Sequence, residues 1–254
     1  MIIAIDVGNT NIVVGCIDDQ GIVFEERLSA NRHRTEMEYA ISLKSIFDLH
    51  GLSREKIEGG IIASVAPELT DVLRGALQKF SIENVKVVGP GVKTGMNIVI
   101  DNPGQLGSDL LVDAVAAAAE YPLPAIIVDL GTATTLCVVN KKKQYIGGVV
   151  LPGVRTGLDS LVNKTSLLPQ ISLDAPKHVI GRNTIEAMKS GVIFGNASAI
   201  DNMIKRIEKE LGQKCFVVAT GAMANTIIPY CEHTIQTDKD LLLKGLKIIY
   251  DKNR

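Results

Sequence analysis

The 254-residue sequence contains no tryptophan, and aromatic residues make up only 4% of it, whereas 46% of its residues are hydrophobic. The cores are therefore predicted to be packed mainly from aliphatic side chains. No motif of the form G-x-x-x-x-G-K-[ST], H-E-x-x-H or G-x-S-x-G occurs. These absences argue against a Walker-type nucleotide site, a zincin-type metalloprotease and an α/β-hydrolase nucleophile.

The chain also lacks an excess of either charge, since 27 basic and 28 acidic residues give a net charge of −1 at pH 7. Because no basic field would attract a polyanion, neither nucleic acid nor a membrane is expected as a partner. The four cysteines and four histidines are scattered, so neither a zinc site nor a redox pair is indicated. Buried free thiols, the absence of a signal-peptide pattern and the absence of a long apolar run predict a soluble cytoplasmic protein.

A short polar segment follows the opening apolar run and carries Asp6, Gly8, Asn9, Thr10 and Asn11. A second apolar run comes directly after it, so the pattern predicts two strands joined by a tight hairpin. The glycine lets the backbone approach a bulky anion, and the amides and hydroxyls add donors for phosphate oxygens. The aspartate at the strand end offers the oxygen ligand that Mg²⁺ prefers. For a single copy of this pattern, an ordinary turn is the better explanation.

The same pattern returns near mid-chain, where an apolar run leads into Asp129, Gly131 and Thr132 and a further apolar run follows. A repeat of this kind predicts two related lobes, which we place at 1–112 and 113–254. Facing hairpins in two such lobes would hold the phosphates of a nucleotide. The arrangement resembles the actin, sugar-kinase and Hsp70-like ATPase superfamily, which implies an α/β fold of two duplicated actin-like (RNase H-like) lobes with an ATP cleft between them.

The remaining elements follow from hydrophobic periodicity and from the positions of glycine and proline. Helices are predicted over 36–50, 67–80, 105–121, 184–211 and 239–253. Further strands are predicted over 21–28, 60–65, 85–88, 144–150 and 215–219. The last helix is expected to close the second lobe.

Asp109 is the candidate general base, because it lies at a loop-to-helix junction between the predicted lobes. An alcohol that accepts a phosphoryl group is a poor nucleophile until a carboxylate takes its proton. The alternative is that this aspartate only stabilises the first turn of a helix through the helix dipole.

Motifs spread in order over nearly the whole chain resemble those of type III pantothenate kinases. They are Asp6-Val7-Gly8-Asn9-Thr10, Asn102-Pro103 followed by Gly107-x-Asp109, Asp129-x-Gly131-Thr132-Ala133-Thr134, Gly147-Gly148 with Pro152-Gly153, Gly181-x-Asn183-Thr184, and Ala219-Thr220-Gly221. The resemblance implies ATP-dependent phosphorylation of pantothenate to 4′-phosphopantothenate, the first step of coenzyme A biosynthesis. It also implies a bacterial homodimer that requires Mg²⁺ and a monovalent cation, K⁺ or NH₄⁺.

The resemblance further implies a role for each matching residue. Asp6 would be the carboxylate on the Mg²⁺ side, and Asp129 would hold the monovalent cation. The ATP phosphates would be lined by Asp6, Gly8, Asn9, Thr10, Asn11, Gly131 and Thr132. The pantothenate pocket would be lined by Gly107, Ser108 and the base Asp109, with Thr184 reaching it from the partner subunit.

The chain departs from the family pattern Gly-x-Asp-Arg at Leu110, whose side chain cannot donate a hydrogen bond to the substrate carboxylate. Losing a charge-assisted bond typically costs about 1.5–3 kcal/mol. Arg155 and Arg182 are candidates to replace the missing arginine. Two alternatives to an active pantothenate kinase therefore stay open: a catalytically weak paralogue with a regulatory role, and a same-fold kinase for another small hydroxylated substrate.

A nuclease of RNase H-like topology is the least favoured alternative. The carboxylates of such a nuclease would cluster on one lobe, whereas Asp6, Asp109 and Asp129 are distributed over the two predicted lobes.

Overall fold

The computed structural model describes residues 1–254, and its helices pack on two separate β-sheets. The strands of the first sheet are β1 (Ile2–Val7), β2 (Asn11–Asp18), β3 (Gly21–Ser29), β4 (Gly59–Ser64) and β5 (Val85–Val87). Their order is β3-β2-β1-β4-β5, in which β1, β2 and β3 are antiparallel and β4 and β5 continue parallel to β1.

Two helices connect the parallel strands of the first sheet, as parallel pairing requires. Helix α1 (Glu36–Leu49) begins at a capping box, in which Thr35 accepts from the backbone of Glu38 and the Glu38 side chain bonds back to Thr35. Helix α2 (Pro67–Lys79) begins with its proline, a residue whose missing N–H costs nothing in a first turn. The predicted order of three strands, helix, strand, helix and strand is therefore confirmed.

The second sheet repeats this design. Its strands are β6 (Asn97–Ile98), β7 (Ala125–Leu130), β8 (Ala133–Val139), β9 (Gln144–Pro152), β10 (Phe216–Thr220) and β11 (Gln236–Thr237). Their order is β11-β10-β7-β8-β9-β6, in which β7, β8 and β9 are antiparallel and β10 and β11 continue parallel to β7. Three antiparallel strands followed by parallel ones occur in both sheets, so the predicted duplication is confirmed.

Five further helices complete the chain, namely α3 (Ser108–Glu120), α4 (Val154–Lys164), α5 (Thr184–Leu211), α6 (Ala224–Ile227) and α7 (Leu241–Asp251). The predicted bounds of α5 are confirmed, whereas α3 starts three residues later than predicted, after a separate 3₁₀ turn at Pro103–Gln105. No helix was predicted where α4 forms. Its short sequence carries Gly157 in the middle, which weakens the helical signal, and the buried side chains of Val154 and Leu158 hold it in place.

The expectation that the last helix closes the second lobe is wrong. Helix α7 packs on strands β1, β2 and β4 of the first sheet. Gly15 lets α7 approach the sheet closely, and Gly245 lets α7 approach helix α3. A Cβ at Gly15 would lie 2.7 Å from Leu243 Cδ1, and one at Gly245 would overlap the carbonyl oxygen of Val112 in α3.

Contacts divide the chain into two compact units. The first comprises Met1–Asn97, Asp101–Ala119 and Asp240–Arg254, and the second comprises Ile98–Ile100 and Glu120–Lys239. The predicted lobes 1–112 and 113–254 were defined by motif repetition rather than by contacts, so their boundary stays a prediction.

The cores are mainly aliphatic, as predicted, although Phe24, Tyr39 and Phe47 take part in the core of the first unit. All four cysteines are free thiols. Cys16 and Cys137 are buried, but Cys215 and Cys231 are only partly buried, which corrects the expectation for those two. No helix of the chain has the length and apolarity needed to span a membrane.

Candidate active site

The first phosphate hairpin, named after the role that the sequence predicts for it and defined as residues 8–11, connects β1 to β2. Its turn is closed by the N–H of Gly8, which donates to the carbonyl oxygen of Asn11 at 3.0 Å. A Cβ at Gly8 would lie 3.0 Å from that same oxygen, so a side chain there would crowd the turn. Asn9, Thr10 and Asn11 are exposed, and Asp6 is half-buried in the strand before them. The predicted hairpin is present, with its polar side chains turned to solvent.

The second phosphate hairpin, defined as residues 131–132, connects β7 to β8 in the second unit. The N–H of Gly131 donates to the carbonyl oxygen of Ala133 at 3.0 Å, which closes the turn. Asp129 lies two residues before the turn and pairs with Thr135 on β8 and with Thr220 on β10. The aspartate is therefore flanked on both sides by threonines.

The N-terminus of α4 packs against the backbone of the second phosphate hairpin. The hydroxyl of Thr156 donates to the carbonyl oxygen of Thr132 at 2.7 Å. Gly153, which caps the helix, lies so close to the turn that a Cβ there would overlap the same oxygen and lie 2.6 Å from the carbonyl oxygen of Gly131. The paired motif Pro152-Gly153 is thus explained by close backbone packing.

Thr134 and Thr135 carry buried hydroxyls with no hydrogen-bond partner. Side chains alternate along a strand, so Thr134 lies on the same face as Leu136, among the apolar side chains of the second core. Thr135 lies on the opposite face, the face that its cross-strand partner Asp129 also uses. An unpaired hydroxyl beside a carboxylate is a pair of hard oxygen ligands, and sequence reasoning missed Thr135.

A cavity of about 220 Å³ opens beside the end of β10. It is lined by Ala219, Gly221, Ala224, Asn225, Thr237 and Lys239. Gly221 has φ +91°, and a Cβ there would overlap Asp129 Oδ1 and lie 2.7 Å from the backbone of Leu130. A sequence motif includes Ala219 and Gly221 without giving either a role, and the other four lining residues were not identified from the sequence.

Asp109 is the second residue of α3 and is half-buried. Burial raises the pKa of its carboxyl above the ordinary value of 3.8, although hydrogen bonds from the backbone N–H groups of Leu110 and of Asp109 itself oppose that shift. The Leu110 N–H lies 2.8 Å from Asp109 Oδ1. A Cβ at Gly107 would overlap that oxygen, so the glycine gives the carboxylate its room. A raised pKa is the property that a general base needs.

Ser108 does not point a free hydroxyl at a ligand. Its Oγ donates to the carbonyl oxygen of Ser64 at 2.9 Å and accepts from the N–H of Ser64 at 2.8 Å. Ser64 ends β4 and pairs with Val7, the residue before the first phosphate hairpin. Asp109 and that hairpin therefore both lie at the carboxyl ends of β1 and β4.

The motif Gly181-x-Asn183-Thr184 builds the start of α5. The side chain of Asn183 accepts from the N–H of Glu186 at 2.9 Å and so caps the helix. A Cβ at Gly181 would overlap the backbone nitrogen of Ala187. Thr184 is the first residue of the helix and is exposed, and Arg182 and Arg155 are exposed as well.

No cluster of three or more His, Cys, Asp or Glu side chains forms a ready metal cage. Mg²⁺ seldom requires one, since it commonly binds through one or two carboxylates together with phosphate oxygens and waters. Asp6, half-buried at the end of β1 and followed by an exposed polar turn, fits that pattern.

Comparison with known proteins gives consistent results. A family model described as type III pantothenate kinase matches residues 2–206. Two curated proteins named type III pantothenate kinase, from Halalkalibacterium halodurans and Exiguobacterium sp., are 44% and 42% identical to this chain, and each match spans 100% of both chains.

Among solved structures, the activator of the 2-hydroxyisocaproyl-CoA dehydratase from Clostridium difficile, with bound ADPNP, is similar with a TM-score of 0.54. It is 14% identical, and the match covers 98% of this chain and 93% of the activator. At that identity the likeness establishes the fold alone, an α/β fold of two actin-like lobes.

Proposed function

The chain belongs to the type III pantothenate kinase family, and from that membership we propose how its own residues carry out the reaction. The protein is a pantothenate kinase, which transfers a phosphoryl group from ATP to pantothenate in coenzyme A biosynthesis. The observation that carries this conclusion is the match to two named kinases at 44% and 42% identity over the full length of the chain. Nothing favours a regulatory paralogue or a kinase for another acceptor.

The two phosphate hairpins supply backbone and side-chain donors to the phosphate oxygens of ATP. Asn9, Thr10 and Asn11 do so from the first hairpin, and Thr132 from the second. Gly131 lines the phosphates only by leaving them room, because its N–H already closes the turn. What supports this role is that each turn is closed by its own backbone bond, and that the polar side chains of the first are exposed rather than used in the core. A preorganised donor set needs no rearrangement when charge develops on the phosphoryl group.

Asp6 supplies the carboxylate for Mg²⁺, together with phosphate oxygens and water. Bound Mg²⁺ would neutralise charge on the phosphates. The cavity lined by Gly221, Asn225, Thr237 and Lys239 takes the nucleoside end of ATP, because it is concave and offers amide, hydroxyl and ammonium groups beside Asp129.

Asp109 accepts the proton of the pantothenate hydroxyl. Its half-buried position and raised pKa support this role, and Gly107 beside it leaves room for the carboxylate. Position 110 contributes only its backbone N–H to this carboxylate. Holding the base therefore does not require the arginine of the family pattern. The contact of that arginine with the substrate carboxylate must be made by another cationic side chain, for which Arg155 and Arg182 are the candidates.

Asp129 and Thr135 hold the monovalent cation. The pair fits such an ion because a carboxylate and an unpartnered buried hydroxyl lie opposite each other on neighbouring strands. Both are hard oxygen ligands, and an alkali cation would satisfy the hydroxyl oxygen whose desolvation otherwise costs about 1–3 kcal/mol.

The test of the proposed function is an assay of ADP release and of product by mass spectrometry. Wild-type protein with ATP, Mg²⁺ and KCl is expected to make phosphopantothenate only when pantothenate is present, and to slow when NaCl replaces KCl. The Thr135→Val variant is expected to lose most of that preference for K⁺, and also the rise in thermal unfolding midpoint that KCl gives over NaCl.

Thr134→Val is the matched control, because it removes the other unpaired buried hydroxyl from the opposite face of the same strand. It is expected to keep the K⁺ preference and to be neutral or stabilising, since a buried unsatisfied group disappears. Equal loss of the preference in both variants would refute the cation site. No product from wild type, with ATP binding intact by calorimetry, would refute the kinase assignment.

A homodimer is supported by exposed apolar side chains in the second unit. They are Val150, Leu161, Leu167, Val179, Ile180 and Ile185, of which Leu167 is 89% and Ile180 is 82% exposed. Contiguous exposed apolar surface commonly marks a protein contact, and Val179, Ile180 and Ile185 lie within seven positions of one another in the chain. Thr184 lies next to Ile185 at the start of α5, so the same surface would carry it towards the pantothenate pocket of the partner. The dimer is proposed to be cytoplasmic.

The Ile180→Glu variant is expected to sediment mainly as a monomer and to lose turnover, because a charge on an apolar contact must be desolvated. Analytical ultracentrifugation measures the first effect and the ADP assay the second. Leu49→Glu is the control, since Leu49 is 84% exposed on α1 in the other unit. A dimeric Ile180→Glu protein would exclude this residue from the contact.

A further inference from the structure

The hydroxyl of Ser108 makes two hydrogen bonds to the backbone of a single residue. Its proton goes to the carbonyl oxygen of Ser64 at 2.9 Å, and its oxygen accepts from the N–H of the same residue at 2.8 Å. A serine hydroxyl has one donor proton, so Ser108 has none left for a substrate. If Ser108 lines the pantothenate pocket, as the family resemblance implies, it does so without donating its hydroxyl proton to the substrate.

Ser64 lies beside the strand end from which the first phosphate hairpin starts. It is the last residue of β4, in parallel register with Val7 at the end of β1. The register continues one residue further, because the N–H of Val65 donates to the carbonyl oxygen of Val7 at 3.0 Å. The first phosphate hairpin starts with the next residue, Gly8. A group fixed to Ser64 is thus fixed relative to that hairpin.

The side chain of Ser64 is braced as well. Its Oγ accepts from the hydroxyl of Thr70 at 2.8 Å and from the N–H of Ala66 at 3.1 Å. These two hydrogen bonds therefore tie the end of β4 to the first turn of α2. Neither bond involves the N–H or C=O of Ser64, which stay available for Ser108.

Asp109 follows Ser108 directly and has few other restraints on the placement of its carboxylate. Its Oδ1 accepts from the adjacent N–H of Leu110, and Gly107 on its other side has no side chain. The start of α3 thus determines where this carboxylate lies. We infer that Ser108 is a positioning residue: its two bonds to the backbone of Ser64 fix the start of α3, and with it the carboxylate of Asp109, relative to the first phosphate hairpin. The inference rests on the proposed function, in which Asp109 is the base.

The experiment compares Ser108→Ala with Ser108→Thr, which keeps the hydroxyl. Ser108→Ala is expected to lower kcat by about 10- to 100-fold, because a misplacement of about 1 Å at a reacting group costs on that order. KM for pantothenate and the affinity for ATP, measured by calorimetry, are expected to stay within about threefold, since no contact with either is lost. Ser108→Thr is expected to recover most of kcat.

A second readout does not depend on turnover. In a ¹³C NMR titration, the carboxyl pKa of Asp109 is expected to fall towards 3.8 in Ser108→Ala, because a loosened helix start lets water reach the carboxylate. Thr70→Val is the control, since it breaks the bond to the Ser64 side chain and leaves both bonds to Ser108 in place. It is expected to retain kcat within about threefold.

Three results would overturn the inference. One is an unchanged kcat and carboxyl pKa in Ser108→Ala. Another is a raised KM for pantothenate at constant kcat, which would make Ser108 a substrate contact. The third is an equal loss of kcat in Thr70→Val. If wild type makes no phosphopantothenate, the proposed function fails instead, and the NMR titration still decides whether Ser108 positions the carboxylate.

Discussion

The Asp109→Asn variant is expected to lose about 10²- to 10⁴-fold in kcat, the range that a positioned general base contributes. Asparagine has the shape of aspartate but cannot take the proton of the pantothenate hydroxyl. The hairpins proposed to bind ATP are unchanged, so ATP affinity by calorimetry is expected to stay close to that of wild type. The ADP-release assay with and without pantothenate measures the loss.

Stability provides the control for this variant. Burial raises the pKa of Asp109, which means that the folded protein holds the ionised carboxylate less favourably than the unfolded chain does. That cost is present above the folded pKa and disappears as the pH falls through it. Near pH 7 the neutral asparagine avoids this cost, so the thermal unfolding midpoint of Asp109→Asn is expected to equal or exceed that of wild type.

The raised pKa of Asp109 also determines how activity depends on pH. Only the ionised carboxylate can accept a proton, so kcat/KM of wild type is expected to fall on the acid side at a pH above 3.8, the ordinary pKa of an aspartate. The residual activity of Asp109→Asn is expected to lack that acid limb. Wild-type turnover in the variant, or an acid limb that persists unchanged, would show that another group is the base.

Local sequence signals determined much of the fold. The two hairpins were predictable because each combines apolar runs with an Asp-x-Gly turn, and the long helix α5 because its apolar spacing is continuous from its cap at Asn183 to Gly212. The antiparallel hairpins and the parallel strands after them follow from the same signals. The position of Asp109 was predictable for the same reason, since it depends on a loop-to-helix junction that is visible in the sequence.

What the sequence did not show depends on contacts between distant residues. Helix α4 has a weak helical signal, and what holds it is its packing and the bond from Thr156 to Thr132, 24 positions away. Helix α7 was assigned to the wrong lobe because it follows the strands of the second sheet in the chain, whereas Gly15, which makes room for it on the first sheet, lies more than 200 positions earlier. The partner of Ser108, at Ser64, is 44 positions away.

Asp129 and Thr135, the proposed ligands of the monovalent cation, show the same limit within a motif. Asp129 was predicted from family resemblance, whereas Thr135 looked like an ordinary strand residue beside Thr134. Only the register of β7 with β8 places one threonine on the side of Asp129 and the other in the apolar core. A one-residue difference in a strand changes the face, so residue type alone cannot assign the role.

Gly153→Ala is expected to damage both stability and ATP use. The added Cβ would overlap the carbonyl oxygen of Thr132 and lie 2.6 Å from that of Gly131, and backbone oxygens cannot rotate away as a side chain can. Either α4 or the second phosphate hairpin must shift. Overpacking of this kind costs about 1–3 kcal/mol or more in unfolding free energy, measured by denaturant titration. Displacement of the hairpin is expected to lower kcat/KM for ATP by about 100-fold.

Gly157→Ala is the matched control, since it makes the same change one turn along the same helix. A Cβ at Gly157 has nothing within 4 Å, and alanine favours a helix interior over glycine by about 0.5–1 kcal/mol. Gly157→Ala is therefore expected to be more stable than wild type with unchanged kinetics. If Gly153→Ala also gained stability, the close packing of α4 on the hairpin would be refuted. If it lost stability but kept its kcat/KM for ATP, the packing would stand and the hairpin would have no part in binding phosphate.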